Sequence, residues 1–275
     1  MKYPIAFSRL VALLCSALCC AACAGASEEG RDKHIINIAG STSVMPFTEK
    51  LAEHFMIENP AFIINVQSGG STAGIQACLN NTVDIGMSSR ELKPEEKKLQ
   101  EITICHDGIA IVVHPANPVT GLTLEQVRDI FSGKIKNWKE LGWIDRRIDA
   151  VTREEGSGTR GAYEELVMKK DEIDDGIMVQ DSNGSVKEVV ATDPYAIGYL
   201  SLGMVDGRVS SVVIDAMQPT AENIKKKKYK IFRPFLFLTN GAPGANAQKF
   251  IAYVLEKDGQ HILKKEGLIP AYDVE

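Results

Sequence analysis

Three short clusters of glycine and hydroxyl residues stand where a strand-like run gives way to a helix-like run. They are Gly40-Ser41-Thr42-Ser43, Gly69-Gly70-Ser71-Thr72 and Gly156-Ser157-Gly158-Thr159. Glycine allows close approach to the backbone, and the first turn of a helix carries N–H groups that have no intrahelical partner. One such cluster is an ordinary turn with a helix cap. Three in one chain, the last between Arg153 and Arg160, predict a shared site for a small anion.

Apolar runs of strand length alternate with runs of helical periodicity through most of the chain. Helices are expected after each of the three clusters. Two capping boxes, Thr123 with Gln126 and Ser185 with Glu188, mark the starts of two more. Strands are predicted at residues 35–39, 62–67, 83–87, 108–113, 148–152, 196–200, 209–214 and 229–238. This alternation predicts the α/β fold class.

The length of the chain favours two lobes over one. Single hydrophobic cores stop growing at about 250–300 residues, and the sequence has 275. Pro115 and Pro118 break the chain after one apolar strand and Gly203 follows another, so a crossing between lobes is placed at each. The expected domains are 35–112 plus 203–275 for lobe 1 and 113–202 for lobe 2. A ligand cleft is expected between these discontinuous lobes.

The first residues are predicted to be a targeting segment rather than part of the fold. A short apolar run after a basic start ends in small residues, which is typical of a secretory signal peptide over residues 1–22. Cys23 resembles the lipid-modified cysteine of bacterial lipoproteins, although Cys20 stands where a leucine is usual. Cleavage after the small-x-small triplet at 24–26 is the alternative. With a lipid on Cys23, residues 23–34 are a tether that holds the protein at an extracytoplasmic membrane face.

Composition narrows the class of partner. The formal net charge of −5 argues against nucleic acid, and the lysine run at 225–228 is interpreted as a solvated loop. After the leader, no apolar run reaches the ~18 residues that a membrane span needs.

Beyond Cys23, the cysteines are Cys78 and Cys105. An oxidising compartment would permit a disulfide between them, and two buried free thiols are the alternative.

Residues 153–160 combine the groups that a tetrahedral oxyanion requires. The Ser157 and Thr159 hydroxyls can donate or accept hydrogen bonds, and Arg153 can hold two oxygens in fork geometry. Glu155 is expected to orient the Arg153 guanidinium. Nothing in the chain has the paired ligand spacing of a metal site, and no cofactor is expected.

On these residues the chain resembles the phosphate-binding proteins of bacterial ABC phosphate importers. The similarity covers nearly all of the chain after the leader, and the matching stretches are 39–43, 82–86, 130–138 and 156–159. The resemblance implies a two-lobed periplasmic-binding-protein type II fold with a two-strand hinge that closes around dehydrated phosphate. It also implies delivery of the ligand to ABC permease subunits by a monomeric receptor that is not an enzyme.

The resemblance also implies roles for individual residues. Thr42 and Ser43 would bind phosphate from lobe 1, and Ser71 from the second cluster. Arg153 would be the ion-pairing clamp, with Glu155 where the family often has an orienting aspartate. The donors implied for lobe 2 are Ser157, Gly158 and Thr159.

One position departs from the family pattern. Some members have an aspartate after the third strand that accepts the proton of hydrogen phosphate, and this sequence has Ser89 there, followed by Arg90. A serine accepts a hydrogen bond but does not repel sulfate by charge, so this position does not by itself select phosphate over sulfate. Arg90 is expected to be a second clamp, with a surface arginine before Pro94 as the alternative.

Other functions remain open at this point. Sulfate, molybdate or tungstate could be the ligand of the same fold, and an adhesin or sensory lipoprotein with a vestigial pocket is a further alternative. An extracellular phosphatase would use His106, Asp107 or His114, which lie around the proposed hinge. The sequence has neither the phosphate-loop motif of nucleotide hydrolases nor the G-x-S-x-G motif of serine hydrolases.

Overall fold

The structure is a computed structural model that describes residues 33–272. The predicted signal peptide at 1–22 and the predicted lipid-attachment residue Cys23 lie outside the described residues. Of the predicted tether at 23–34, the last two residues are described, and His34 already begins the first strand.

The observed strands agree closely with the predicted ones, and the structure also contains short strands that were not predicted. The largest difference is the fourth strand, which begins eight residues earlier than expected. The strands are β1 His34–Gly40, β2 Phe62–Ser68, β3 Ile85–Ser88, β4 Gln100–Val113, β5 Gly121–Leu122, β6 Asp149–Arg153, β7 Met178–Gln180, β8 Ala196–Ser201, β9 Ser210–Ser211, β10 Val213–Ile214, β11 Phe232–Thr239 and β12 Ile269–Pro270.

Helices follow the strands as the alternation predicts. Short 3₁₀ turns occupy Pro94–Glu96, Trp138–Leu141 and Leu202–Met204, and a π-helical turn covers Glu164–Met168. The α-helices are α1 Met45–Glu58, α2 Ser71–Leu79, α3 Leu124–Phe131, α4 Gly158–Tyr163, α5 Asn183–Thr192, α6 Ala221–Lys225, α7 Ala245–Leu255 and α8 Lys257–Lys265.

One long strand links the two halves of the sheet. The strand order is β2-β1-β3-β11-β4-β8-β6-β7, with β4 near the centre. Up to Gly108, β4 pairs antiparallel with β11, and from Ile109 onward it pairs antiparallel with β8. The point where β4 changes partner is therefore the boundary between the halves.

Each half of the sheet packs its own hydrophobic core. In the first half, Phe55 and Phe250 meet edge to face with their ring centroids 5.4 Å apart. In the second half, Tyr163 and Tyr199 stack with their centroids 3.9 Å apart. Both cores are closed by helices that pack on the strands, as expected for an α/β protein. The molecule therefore has two lobes, each built around the hydrophobic core of one half of the sheet.

The exact lobe boundaries remain a prediction, and the packing favours one change to them. β9 pairs with the end of β4, β10 pairs with β5, and Ile224 and Tyr229 are buried in the second core. Residues 209–231 therefore pack with lobe 2, although the sequence analysis assigned them to lobe 1. On this division the two crossing strands are β4 and β11, which is the two-strand hinge.

The two predicted capping boxes have different outcomes. Thr123 Oγ1 accepts from the Gln126 N–H and the Gln126 side chain accepts from the Thr123 N–H, so the first box is confirmed. The second is wrong: α5 begins earlier, and Ser182 is the cap that accepts from the Ser185 N–H. Ser182 and Ser185 are both residues that can cap a helix, and the sequence spacing alone pointed to Ser185.

The two remaining cysteines are both unpaired within the described chain. Cys78 and Cys105 are buried, and they belong to different hydrophobic clusters. Burial raises the pKa of both thiols. Of the two alternatives, the structure favours buried free thiols over a disulfide. No helix in residues 33–272 combines the length and the apolar character needed to cross a bilayer.

Candidate functional site

The three glycine and hydroxyl clusters meet where the two halves of the molecule face each other. Ser43, just before α1, lies 2.8 Å from Thr159 of α4, hydroxyl to hydroxyl. The Thr72 N–H in α2 donates to the Gly156 carbonyl at 3.1 Å. Asn183 at the start of α5 donates to Ser43 Oγ at 2.8 Å. Four helix starts therefore surround one place, and donors from both lobes converge there.

A row of buried hydroxyls forms the lobe 1 side of the site. Ser41 Oγ donates to Ser89 Oγ at 2.8 Å, and the Ser89 and Ser71 hydroxyls lie 3.4 Å apart. Ser71 Oγ also accepts from the Ser89 N–H at 3.1 Å. The structure therefore brings Ser71 and Ser89 together, as the sequence analysis expected of site residues. Ser41 was not predicted, although it lies inside the first cluster.

Gly158 lies close to the lobe 1 hydroxyls. A Cβ atom on Gly158 would lie 2.1 Å from Ser71 Oγ and 2.6 Å from Ser89 Oγ. The α4 backbone and the lobe 1 hydroxyls touch because residue 158 has no side chain. Next to it, Ser157 Oγ accepts from the Arg160 N–H and caps α4.

Arg153 is a buried guanidinium with partners on several sides. Its Nε and Nη2 atoms each donate to the Glu154 carboxylate at 3.0 Å. The same two atoms reach the backbone carbonyls of Gln180 and Asp181, and Nη2 lies 3.3 Å from Thr42 Oγ1 across the cleft. Its Nη1 is buried and has no hydrogen-bond partner within residues 33–272. One pair of N–H donors is thus available for a bound group.

The carboxylate that orients Arg153 is Glu154, and the prediction of Glu155 is wrong. Glu155 is exposed and makes no recorded contact with the guanidinium. The Ser157 N–H donates to the Glu154 carbonyl and closes a turn over residues 154–157. In this turn Glu154 stays against Arg153 while the next side chain faces solvent. Sequence spacing could not decide between two adjacent glutamates.

Arg90 is tied to a carboxylate of its own lobe, so the structure does not favour its predicted role as a second clamp. Its Nη1 and Nη2 donate to Glu96 at 2.7 and 2.9 Å. Nη1 also donates to the Glu91 carbonyl, and Nη2 lies 3.4 Å from Thr72 Oγ1. Arg90 is buried, so the surface alternative does not hold either. Its contacts fix the segment after β3.

Asn183 is a site residue that the sequence analysis missed. Its Nδ2 donates to Ser43 Oγ at 2.8 Å, and it lies 3.2 Å from Thr42 Oγ1 and 3.5 Å from Thr159 Oγ1. Its Oδ1 accepts from the Ser201 N–H, which fixes which way the amide points.

A signal for Asn183 was present in the sequence. Residues 181–185 read Asp-Ser-Asn-Gly-Ser and follow the short strand β7. This is a fourth polar, glycine-containing junction between a strand and a helix. It was overlooked because β7 is only three residues long and has little apolar pattern.

Arg233 on β11 is the second buried arginine beside the site, and it was also missed. It forms an ion pair with Asp107 on β4, with Nη2 and Oδ2 3.1 Å apart. The same Nη2 atom donates to Ser43 Oγ at 3.1 Å. Its Nη1 is buried and unpartnered among the described residues, as in Arg153. An arginine inside an apolar strand offers no local motif, so only the tertiary structure reveals it.

Burial controls the ionisation of this pair. It raises the pKa of Asp107, and the charge and hydrogen bonds of Arg233 act in the opposite direction. Burial likewise lowers the pKa of Arg233 against the attraction of Asp107. Each charge therefore offsets the desolvation of the other.

The buried aromatic residue Tyr199 contacts the backbone of Arg153. The Tyr199 hydroxyl accepts from the Arg153 N–H at 3.4 Å and lies 2.7 Å from Thr152 Oγ1. Burial raises the pKa of Tyr199 to about 12, so it remains a neutral phenol. The stacked Tyr163 ring fixes its position.

The arrangement suits the binding of an anion rather than catalysis. It consists of hydroxyls, amide groups and two guanidinium ions, which donate to oxygen. Among residues 33–272, no group of three or more His, Cys, Asp or Glu side chains could hold a metal ion. His106 packs edge-on against Phe232 and burial lowers its pKa, and His114 Nδ1 accepts from the Ala116 N–H.

Comparison with known proteins identifies the family. The family model described as PBP superfamily domain matches residues 25–258. The phosphate-binding protein PstS of Bacillus subtilis strain 168 is 34% identical over 256 residues, which are 90% of this chain and 85% of that protein. The chain belongs to the PstS family of phosphate-binding proteins. The resemblance inferred from the junction motifs is thereby confirmed.

Solved structures of the PstS family and related receptors agree. A phosphate ABC transporter substrate-binding protein from Clostridium perfringens, determined with bound phosphate, is 43% identical with a TM-score of 0.85. The alignment covers 87% of this chain and 100% of the Clostridium perfringens chain. An ABC-type phosphate transport receptor from Vibrio cholerae is 38% identical with a TM-score of 0.72, covering 85% and 99%. Because these relatives are substrate-binding proteins, the expectation that the chain is not an enzyme is supported.

The pair of Arg90 and Glu96 predicts a specific acid sensitivity. The hydrogen bonds from Arg90 hold the pKa of Glu96 below its ordinary value of 4.5. The stabilisation is therefore present above that value and is lost as pH falls through the lower folded-state pKa. We expect Glu96→Gln to lower the urea midpoint at neutral pH, and the difference from wild type to shrink below pH 4.5.

The matched control is Glu95→Gln, since Glu95 is the exposed neighbour in the same 3₁₀ turn. Its urea midpoint should follow that of the wild type at every pH. A Glu96→Gln deficit that does not change with pH would contradict the assignment.

Proposed function

We propose that this protein is an extracytoplasmic receptor that binds inorganic phosphate in the cleft between its lobes and delivers it to an ABC importer. The observation that carries the proposal is the meeting of donors from both lobes beside the Nη1 of buried Arg153, which has no hydrogen-bond partner within residues 33–272. Membership of the PstS family and the phosphate bound in the Clostridium perfringens structure support it.

We assign binding roles to residues of both lobes. Arg153 supplies charge, and Asn183 joins the predicted set through its contact with Ser43. The hydroxyl and backbone donors are Thr42, Ser43, Ser71, Ser89, Ser157, Gly158 and Thr159. Micromolar affinity corresponds to about 8 kcal/mol, and charge-assisted hydrogen bonds contribute roughly 1.5–3 kcal/mol each. A handful of these donors is therefore sufficient.

Lobe closure is the proposed binding mechanism. Ser43 with Thr159 and Thr42 with Arg153 are contacts between lobes, so an open form would separate them. An anion that enters the cleft can accept from both members of each pair. Such a ligand favours the closed form because only that form brings all donors within reach.

Ligand choice within the tetrahedral oxyanions is the open part of this proposal. Ser89, where some family members have an aspartate, contacts Ser41 and Ser71, so that part of the site consists of hydroxyls. Hydroxyls accept the hydrogen bond that the P–OH group of hydrogen phosphate donates, but they do not repel sulfate. Phosphate is proposed as the ligand on family grounds, with sulfate, molybdate and tungstate as the alternatives.

The remaining partners are proposed from the sequence. We propose that a lipid on Cys23 holds the monomer at the membrane and that the ABC permease subunits receive the phosphate. The acidic chain, with a net charge of −5, gives no reason to expect nucleic acid as a partner.

Isothermal titration tests the proposed ligand directly. The chain starting at Ser27, stripped of bound ligand, should bind phosphate with micromolar or tighter affinity. Sulfate and molybdate are titrated in matched buffer. Equal affinity for sulfate would make the protein a general oxyanion receptor, and no binding of any of the three would overturn the receptor proposal.

Arg153→Ala and Thr42→Ala should each weaken phosphate binding at least about tenfold, which corresponds to 1.4 kcal/mol. The first removes the clamp and the second removes a hydroxyl from the opposite lobe. Thermal unfolding should show that both variants fold. Wild-type affinity in either titration would remove that residue from the site.

Gly158→Ala should prevent closure without unfolding the protein. The added methyl group would overlap Ser71 Oγ at 2.1 Å and Ser71 Cβ at 2.8 Å, which belong to the other lobe. We expect phosphate affinity to fall at least about tenfold while the unfolding midpoint stays near that of wild type.

Gly156→Ala is the control in the same loop, because the nearest atom to its added Cβ is 3.9 Å away. It should bind phosphate like the wild type. Unchanged affinity in Gly158→Ala would show that the lobes need not approach this closely.

A further inference from the structure

Arg233 stands on one of the two strands that connect the lobes. It faces Asp107 across the β11–β4 pairing, one residue before β4 changes partner at Gly108. Its Nε and Nη2 donate to Asp107 Oδ2 at 3.3 and 3.1 Å. The arginine is 3% exposed and the aspartate 1%. This pair is thus fixed at the hinge.

The guanidinium of Arg233 is turned toward the candidate site. Its Nη2 donates to Ser43 Oγ at 3.1 Å, and that hydroxyl also contacts Thr159 and Asn183. One hydrogen bond therefore separates Arg233 from donors of both lobes.

The Nη1 atom of Arg233 has no partner among the described residues, although it is buried. Buried N–H groups are nearly always hydrogen-bonded, so such an atom requires an explanation. Arg90, the third buried arginine, gives the contrast: both of its Nη atoms donate to protein oxygens. Among the described residues, the buried arginines with an unpartnered Nη1 are Arg153 and Arg233, which contact the adjacent Thr42 and Ser43 hydroxyls.

We propose that Arg233 binds the same anion as Arg153, donating through Nη1, and that Asp107 is the residue that positions it. This inference rests on the proposed function, since it assigns a second cation to the same site. The ligand class it implies is an oxyanion with enough charge to accept from two guanidinium groups, as the phosphate dianion does.

Charge balance is consistent with two arginines at one anion. Each is paired with a carboxylate, Glu154 for Arg153 and Asp107 for Arg233. The pairs keep a buried cation tolerable while leaving N–H groups available. Arg153 contacts Thr42 and Arg233 contacts the adjacent Ser43, so the two cations are near each other. Burial lowers the pKa of Arg233, and the charge of Arg153 adds to this effect. An anion between them would relieve that repulsion.

The hinge position separates the roles of the two arginines. Arg233 and Asp107 are directly opposite each other in the β4–β11 pairing, so they stay paired whatever the position of lobe 2. Arg153 belongs to β6 of lobe 2 and reaches Thr42 across the cleft. Arg233 therefore presents its donor in the open form, and Arg153 adds its own on closure.

The competing explanation is that Arg233 only neutralises Asp107. The double variant Asp107→Asn with Arg233→Gln separates the two, because it removes both charges and replaces them with amides that can hydrogen-bond. If Arg233 and Asp107 only neutralise each other, this change should leave phosphate affinity intact. If Arg233 binds the anion, phosphate affinity should fall.

The experiment is titration of the full chain after the leader with inorganic phosphate, alongside thermal unfolding. We expect the double variant to fold and to bind phosphate at least about tenfold more weakly than wild type. Arg233→Lys retains the charge opposite Asp107 but lacks the fork, so it should lose at least about fivefold. If the double variant does not fold, Arg233→Lys decides alone.

Arg128→Gln is the control, because this half-buried arginine donates to Val167 in lobe 2. It should bind phosphate like the wild type. A folded double variant, or a lysine variant, with affinity within twofold of wild type would overturn the role of Arg233 and leave the receptor function standing. Failure of the wild type to bind phosphate would overturn both.

Discussion

Charge neutralisation of buried arginines is the constraint on which this cleft depends. Each of Arg90, Arg153 and Arg233 is almost fully buried and lies against one carboxylate. A guanidinium removed from water costs several kcal/mol unless it is paired and hydrogen-bonded. The protein can therefore place cations beside a dry anion site only where it also places acids.

The three arginines differ in how many of their Nη atoms are hydrogen-bonded to the protein. This difference distinguishes a structural role from a role in binding the anion. Arg90 uses both Nη atoms on protein oxygens and fixes the loop after β3. Arg153 and Arg233 each keep one buried Nη1 without a partner in the described chain, and both contact hydroxyls of the cleft. Local dipoles and paired cations can hold an anion this way inside a chain of net charge −5. Net charge alone therefore does not exclude an anionic ligand.

Much of the fold and part of the site could be predicted from local patterns. The helix cap at Thr123 and the three junction clusters lie where short sequence signals placed them, because caps and glycine turns are decided by neighbouring residues. The choice of Glu155 was wrong since a turn, and not the spacing, directs one of two adjacent glutamates to Arg153. The pairing of Arg90 with Glu96 was not predicted because Glu96 lies in the separate 3₁₀ turn that begins at Pro94.

The sequence by itself determined the α/β class, the order of the longer strands and helices and the clusters of donors, because each follows from periodicity over a few residues. Only the tertiary structure decided which buried cations face the cleft. Arg233 is 126 residues from Asp107 and 190 from Ser43 along the chain. Strand pairing at the hinge brings these three together, and pairing over such separations leaves no local pattern to read.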